Sequence, residues 1–182
     1  MKLTKLLERL DYKVVAGSDN IEITELVNDS RKVVPDSAFV CISGAVSDGH
    51  QYVKDVAEKG AATVIVEKDV EVPEGLTVIK VENTRYALAL MSAAYFGYPA
   101  EKLKTIGITG TKGKTTTTYM VKAILEEVGH KVGLIGTIEA IIGDKTIPSN
   151  NTTPESYTIQ KYFAQMVEAG CDCVVMEVSS QG

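Results

Sequence analysis

Apolar and polar positions fall into blocks along this chain, and the spacing within the blocks switches repeatedly between strand and helix. An amphipathic start predicts a helix over Thr4–Leu10, and the apolar run Ala38–Ile42 predicts the first strand. A polar turn at Ser43–Gly49 leads into a helix over Tyr52–Lys59 and a strand over Thr63–Glu67. Past Pro73 and Gly75 comes a strand over Thr77–Val81, then a helix over Arg85–Phe96, with Gly97 as its stop and Pro99 two residues on. Gly97-Tyr98-Pro99-Ala100 reads as a boundary between one unit over 1–98 and another over 99–182.

The second unit opens with a β-branched strand over Lys104–Thr109 and a glycine-rich turn. A helix over Thr115–Glu127 follows, with helical apolar spacing at Met120, Val121, Ile124, Leu125 and Val128. Next come a strand over Lys131–Gly136 and a short hairpin, Glu139–Ile142 with Thr146–Ile147, turning at Gly143-Asp144. Thr153-Pro154-Glu155 predicts a helix start with a hydroxyl N-cap and proline at the first helical position, and the helix runs to about Glu168. The last strand, Cys173–Val178, is apolar almost throughout, as expected of a strand covered on both faces. Alternation of strands and helices predicts an α/β fold with mainly parallel strands. Its strands are few for an open nucleotide-binding sheet, and the expectation is a piece of a longer protein.

Within that framework one segment carries chemistry. Gly107-Ile108-Thr109-Gly110-Thr111-Lys112-Gly113-Lys114-Thr115-Thr116 joins a strand to a helix through a turn ending in Lys-Thr-Thr. Such a turn lets backbone N–H groups crowd around phosphate oxygens at the positive end of a helix. Lys114 suits the β/γ-phosphates as a point charge, and the Thr115 hydroxyl suits Mg²⁺. The spacing is Gly-x-x-Gly-Lys-Thr, with Ile108 where the strict Walker pattern has glycine. Glu177, at the end of the last strand, lies where parallel strands converge on a ligand crevice. It fits either a divalent ion or a structural lysine pair; beside Lys114 and Thr115 the ion is the favoured reading.

Charge and cysteines narrow the partners. A net charge of −5 without a Lys/Arg block argues against nucleic acid, so an anionic ligand must be captured locally. The N-terminus lacks an export signal, and no apolar run approaches the roughly 20 residues that cross a bilayer. Cys41, Cys171 and Cys173 show no ligand-paired spacing, consistent with buried thiols in a reduced cytoplasmic protein. His50 either lines a ligand loop or is solvated, and His130 stands at a helix exit with no catalytic task.

Gly110 through Thr116, followed by Asn151-Thr152-Thr153-Pro154 and Glu177-Val178-Ser179-Ser180, resembles the Mur ligases. Upstream, Asn28-Asp29-Ser30-Arg31 and the loop Gly44–His50 are similar to the N-terminal domain of the members that add the third residue of the peptidoglycan stem peptide. Five separated motifs occur in order, and the resemblance covers essentially the whole chain. It implies a small N-terminal α/β UDP-sugar-binding domain over 1–98, then part of a parallel-sheet P-loop ATPase domain over 99–182. It further implies ATP and Mg²⁺ as cofactors and UDP-N-acetylmuramoyl-dipeptide as substrate, in a monomeric cytoplasmic protein.

Position by position, the resemblance assigns Gly110, Thr111, Lys112, Gly113, Lys114, Thr115 and Thr116 to ATP, with Thr115 and Glu177 serving Mg²⁺. Lys114 and Glu177 are the residues implied in catalysis. Ser30 and the loop Gly44–His50 are implied at the UDP end, and Asn151, Thr152, Thr153 and Ser179 at the muramoyl-peptide. The implied reaction activates a terminal carboxylate as an acyl phosphate, which an amino acid amine then attacks. This chain has Gln181 where the family commonly has histidine. The rest of the ATPase domain, the lysine that members carbamylate and the C-terminal domain that selects the amino acid have no counterpart in these residues. The alternatives are another Mur ligase, the related folylpolyglutamate ligase, or a non-catalytic nucleotide- or UDP-sugar-binding module.

Overall fold

A computed structural model describes residues 1–44 and 47–180. Backbone contacts divide the chain into two compact units, Met1–Tyr95 and Phe96–Gly182. The first contains α1 (Leu3–Leu6), β1 (Lys13–Ala16), β2 (Leu26–Val27), β3 (Ala38–Val40), α2 (Val53–Glu58), β4 (Thr63–Val66), β5 (Thr77–Lys80) and α3 (Thr84–Tyr95). Its sheet has the order β1-β5-β4-β3-β2, with β2 to β5 parallel and β1 antiparallel to β5.

Two of these strands were not expected. β1 is a mostly exposed edge strand and β2 has only two residues, so neither carries an apolar run long enough to read. α1 ends at Leu6, short of the expected Leu10, and buries Leu3 and Leu6. Phe39, Val64, Val66 and Val78 pack with Val53 and Val56 of α2. Ile65 and Ile79 point the other way by strand alternation and are equally buried, as are Leu88 and Met91 of α3.

The second unit contains β6 (Lys104–Ile108), α4 (Lys114–Glu127), β7 (Val132–Ile135), β8 (Glu139–Ile142), β9 (Lys145–Pro148), α5 (Ser156–Glu168) and β10 (Cys173–Glu177). The sheet order is β6-β10-β7-β8-β9. β6, β10 and β7 run parallel, and β8 and β9 return antiparallel as the expected hairpin. Both sheets are therefore mixed, each a parallel core with antiparallel additions.

β10 is covered on both faces. Val174 packs with Phe163 and Met166 of α5, while Cys173 and Val175 pack with Val121 and Leu125 of α4. The start of α5 differs from expectation. Its N-cap is Glu155, without a side-chain cap bond, and the helix begins at Ser156. Pro154 thus lies before the helix, and the Thr153 hydroxyl is engaged elsewhere.

Candidate functional site

β6 delivers the chain to the turn Thr109–Gly113, which is exposed, and α4 begins at Lys114. Gly113 is the N-cap, with φ of +79°, a left-handed conformation that strains any L side chain. An added Cβ there would meet nothing within 4 Å, so conformation and not crowding requires the glycine. The first-turn N–H groups of α4 have no acceptor within the helix and face the turn. Lys114 folds across it, its Nζ donating to the Gly110 carbonyl at 2.9 Å. Thr115 turns inward instead.

What Thr115 meets is Glu177. Parallel pairing sets Glu177 opposite Ile108, one residue before the turn begins, and its side chain is completely buried. The Thr115 hydroxyl donates to Glu177 Oε2 at 3.0 Å. The Thr137 N–H donates to Oε1 at 2.8 Å, and the Thr137 hydroxyl donates to Oε2 at 3.1 Å. A buried carboxylate without such donors would cost several kcal/mol, and each charge-assisted bond returns about 1.5–3 kcal/mol. Gly136 gives the carboxylate its space, because a Cβ on that residue would stand 2.5 Å from Oε1.

Hydroxyls extend the group outward from Glu177. Thr137 Oγ1 lies 3.0 Å from Thr152 Oγ1. Thr153 donates its hydroxyl to the Glu177 carbonyl at 2.9 Å and accepts from both the N–H and the hydroxyl of Ser179, at 2.9 and 3.0 Å. One donor and two lone pairs are all a hydroxyl has, so Thr153 Oγ1 is saturated within the chain. This is why it does not cap α5. Nearby, the Tyr119 hydroxyl, one helical turn beyond Thr115, donates to Glu139 Oε1 at 2.7 Å. Burial, with the Glu139 bond and the neighbouring charges of Glu139 and Glu177, pushes the Tyr119 phenol up to about 12.

The structure thus joins Thr115, Thr152, Thr153, Glu177 and Ser179 in one hydrogen-bonded group, with Lys114 beside it. Asn151 stands exposed next to Thr152, and Thr111, Lys112 and Thr116 are exposed on the turn and the first turn of α4. Thr137, Tyr119 and Glu139 were not singled out from sequence. Thr137 had a legible signal, since it follows the C-terminal end of β7, beside β10 in the parallel part of the sheet.

Ser30 belongs to the first unit, in a 3₁₀ turn, Ser30–Lys32, that leaves the C-terminal end of β2. Asp29 caps that turn, and the Arg31 guanidinium grips it through two bonds of 2.9 Å. That pairing, with the Arg31 N–H, lowers the Asp29 carboxyl to about 2. Lys59 Nζ donates to the Ser30 carbonyl at 2.8 Å.

Of the loop Gly44–His50, residues 45 and 46 lie outside the described residues, as does Gln181. His50 Nδ1 donates to Asp48 Oδ1 at 2.6 Å, and its Nε2 accepts the Glu67 N–H at 3.1 Å. With its side chain 7% exposed, His50 is a fixed connector and not a solvated loop residue. Lys68 Nζ donates to Asp48 Oδ2 at 2.7 Å. Glu67 accepts from Ser43 and, doubly, from Thr84 at the start of α3.

One further grouping lies at the opposite end of β10. Ligand atoms of His130, Asp172 and Cys173 fall within 4.8 Å of one another. There His130 Nδ1 contacts Asp172 Oδ2 at 2.6 Å, and Asp172 Oδ1 accepts the Lys131 N–H. All three cysteines are free and buried, and among the described residues no helix is long and apolar enough to cross a membrane.

Chemically, the Thr115–Glu177 pair offers hard oxygen donors beside an open helix N-terminus, a donor set that fits Mg²⁺ with phosphate. The ammonium of Lys114 and the turn amides supply the positive field that a polyphosphate needs.

Both units resemble known proteins. Residues 22–96 match the Mur ligase family, catalytic domain, and residues 108–182 match the Mur ligase middle domain. UDP-N-acetylmuramoyl-L-alanyl-D-glutamate–2,6-diaminopimelate ligase of Clostridium perfringens is 50% identical over 180 residues, which are 99% of this chain and 37% of that protein. The enzyme of the same name, numbered 1, from Clostridium acetobutylicum is also 50% identical, with the same coverage. A solved structure of a ligase of that name aligns over 100% of this chain and 36% of its own, with a TM-score of 0.80 at 19% identity, which speaks to the fold. The chain therefore spans about 37% of the length of these curated relatives. With two successive Mur ligase domains matched along it and half its residues identical to named members, the chain belongs to the Mur ligase family.

Proposed function

We propose that this chain is the UDP-sugar-binding and nucleotide-binding part of an ATP-dependent ligase of peptidoglycan synthesis. The ligase adds the third amino acid to UDP-N-acetylmuramoyl-L-alanyl-D-glutamate, and the names of the half-identical relatives favour diaminopimelate as that amino acid. Residues 1–98 form the UDP-sugar domain and 99–182 part of the ATPase domain of a monomeric, cytoplasmic enzyme. The observation that carries this reading is the Thr115–Glu177 bond of 3.0 Å at the mouth of a glycine turn opening a helix.

Each residue has a task matched to its chemistry. The amides from Gly110 through Thr116 bind phosphate oxygens, and Lys114 exchanges its bond to the Gly110 carbonyl for the phosphates. The Thr115 hydroxyl and the Glu177 carboxylate hold Mg²⁺. When bound, Mg-ATP supplies the phosphoryl group that turns a poor electrophile, the terminal carboxylate, into an acyl phosphate open to amine attack. Lys114 offsets the charge that gathers at the phosphates, so the protein acts by position and electrostatics. In the first unit, Ser30 and the loop ending at His50 serve the UDP end. In the second, Asn151, Thr152 and Ser179 contact the muramoyl-peptide, and Thr153 contributes by fixing Ser179.

Calorimetric titration of the 182-residue chain tests this. Mg-ATP and UDP-muramoyl-dipeptide should each bind. Lys114→Ala should weaken Mg-ATP by about 10- to 100-fold, the value of a lost charge-assisted bond, while sparing the UDP ligand. Ser30→Ala should do the reverse. Unaltered nucleotide binding in the Lys114 variant removes the role given to that residue, and UDP-ligand binding without any nucleotide binding leaves a sugar-nucleotide module.

A further inference from the structure

The Glu177 carboxylate is held by three hydrogen bonds, and two of them come from one residue that no sequence motif covers. Thr137 follows Gly136 directly beyond the C-terminal end of β7. Its N–H reaches Oε1 and its hydroxyl reaches Oε2, so a single residue clamps both carboxylate oxygens. A carboxylate has about four acceptor positions. Thr137 takes one on each oxygen and Thr115 a second on Oε2, so the position left is on Oε1, the oxygen beside Gly136.

The same hydroxyl also looks the other way. Thr137 has one O–H proton, and the stronger acceptor is the charged Glu177 Oε2. At 3.0 Å the Thr152 hydroxyl must then be the donor, with Thr137 Oγ1 accepting. A directed chain results, from the Thr152 hydroxyl through Thr137 Oγ1 to Glu177. Losing the Thr137 hydroxyl would free the carboxylate to rotate and free Thr152 to turn its proton elsewhere.

We propose that Thr137 is a positioning residue of this site, setting the Glu177 carboxylate for a divalent cation and orienting the Thr152 hydroxyl in the same act. The inference rests on the reading of Thr115 and Glu177 as cation donors, and it deepens that reading. Thr137 does not touch the cation; it acts through Glu177. Partners that orient a metal ligand in this way typically change cation affinity about 10- to 100-fold when removed.

The test is ATP binding to the 182-residue chain, titrated at a series of Mg²⁺ concentrations and in EDTA. In Thr137→Val, which keeps shape and the N–H but removes the hydroxyl, the Mg²⁺ concentration giving half of the metal-dependent gain should rise about tenfold. Binding in EDTA should stay as in the wild type, and Thr137→Ser should restore the wild-type Mg²⁺ dependence. A merely structural role would weaken binding alike with and without metal. Thr137→Ala, read by the Mg²⁺-dependent rise in Tm with ATP present, serves if the valine variant does not fold. Folded valine or alanine variants with a wild-type Mg²⁺ dependence overturn the role of Thr137 and leave the site reading standing. Wild-type protein that gains no ATP affinity from Mg²⁺ overturns the site reading, and this inference with it.

Discussion

Gly136 and Tyr119 show how much of this site rests on single side chains, or on the lack of one. A Cβ at position 136 would fall 2.5 Å from a carboxylate that three donors hold in place, so neither partner can yield cheaply. Gly136→Ala should therefore lower stability by about 1–3 kcal/mol, the usual cost of overpacking, seen as a Tm several degrees lower. A Tm equal to wild type would mean that Glu177 is not held as described. Tyr119 offers a spectroscopic check. Its phenol is raised to about 12, chiefly by burial and then by the bond to Glu139, so the neutral form is favoured in the fold. That contribution is complete below the ordinary tyrosine value of about 10 and disappears as pH rises through the folded value. Ultraviolet titration of wild type against Tyr119→Phe should assign an ionisation near 12 to this residue.

Elements add what residues alone do not. The apolar spacing of α4 was legible, but two stripes satisfy it. Val121 and Leu125 pack on the sheet, while Met120, Ile124 and Val128 are 59%, 62% and 70% exposed. Ile124→Lys should thus change stability by no more than about 0.5 kcal/mol, and Leu125→Lys should cost several times that, as thermal melts of the two variants would reveal.

At the strand ends of the first unit, Asp48 is lowered from the usual carboxylate range, first by Lys68 and then by His50. Glu67 is lowered chiefly by the Thr84 N–H. Both folded values lie below the unfolded ones, so their contribution is present above about pH 4 and fades as pH falls further. The Tm gap between wild type and Asp48→Asn should accordingly narrow from pH 5 towards pH 2; a gap that widens in acid would contradict the network. The α5 start shows the limit of local rules. Thr153-Pro154-Glu155 has the composition of a cap, yet the end of β10 offers Thr153 better partners.

For the molecule as a whole, two units with separate cores imply that damage stays local. Scanning calorimetry of the intact chain should resolve two transitions, with Gly136→Ala moving one and Asp48→Asn the other. Equal shifts of both transitions by either variant would count against separate cores. Read residue by residue, the chain already contained its α/β class, the order of most strands and helices, the glycine-rich turn from strand to helix and the family. Those depend on local periodicity and on short motifs that carry their chemistry with them. The hold of Thr137 on both oxygens of Glu177, the saturation of Thr153 and the choice between the two stripes of α4 were out of reach. Each depends on which strands become neighbours, and pairing β10 between β6 and β7 is a contact between segments far apart in the chain that no local pattern encodes.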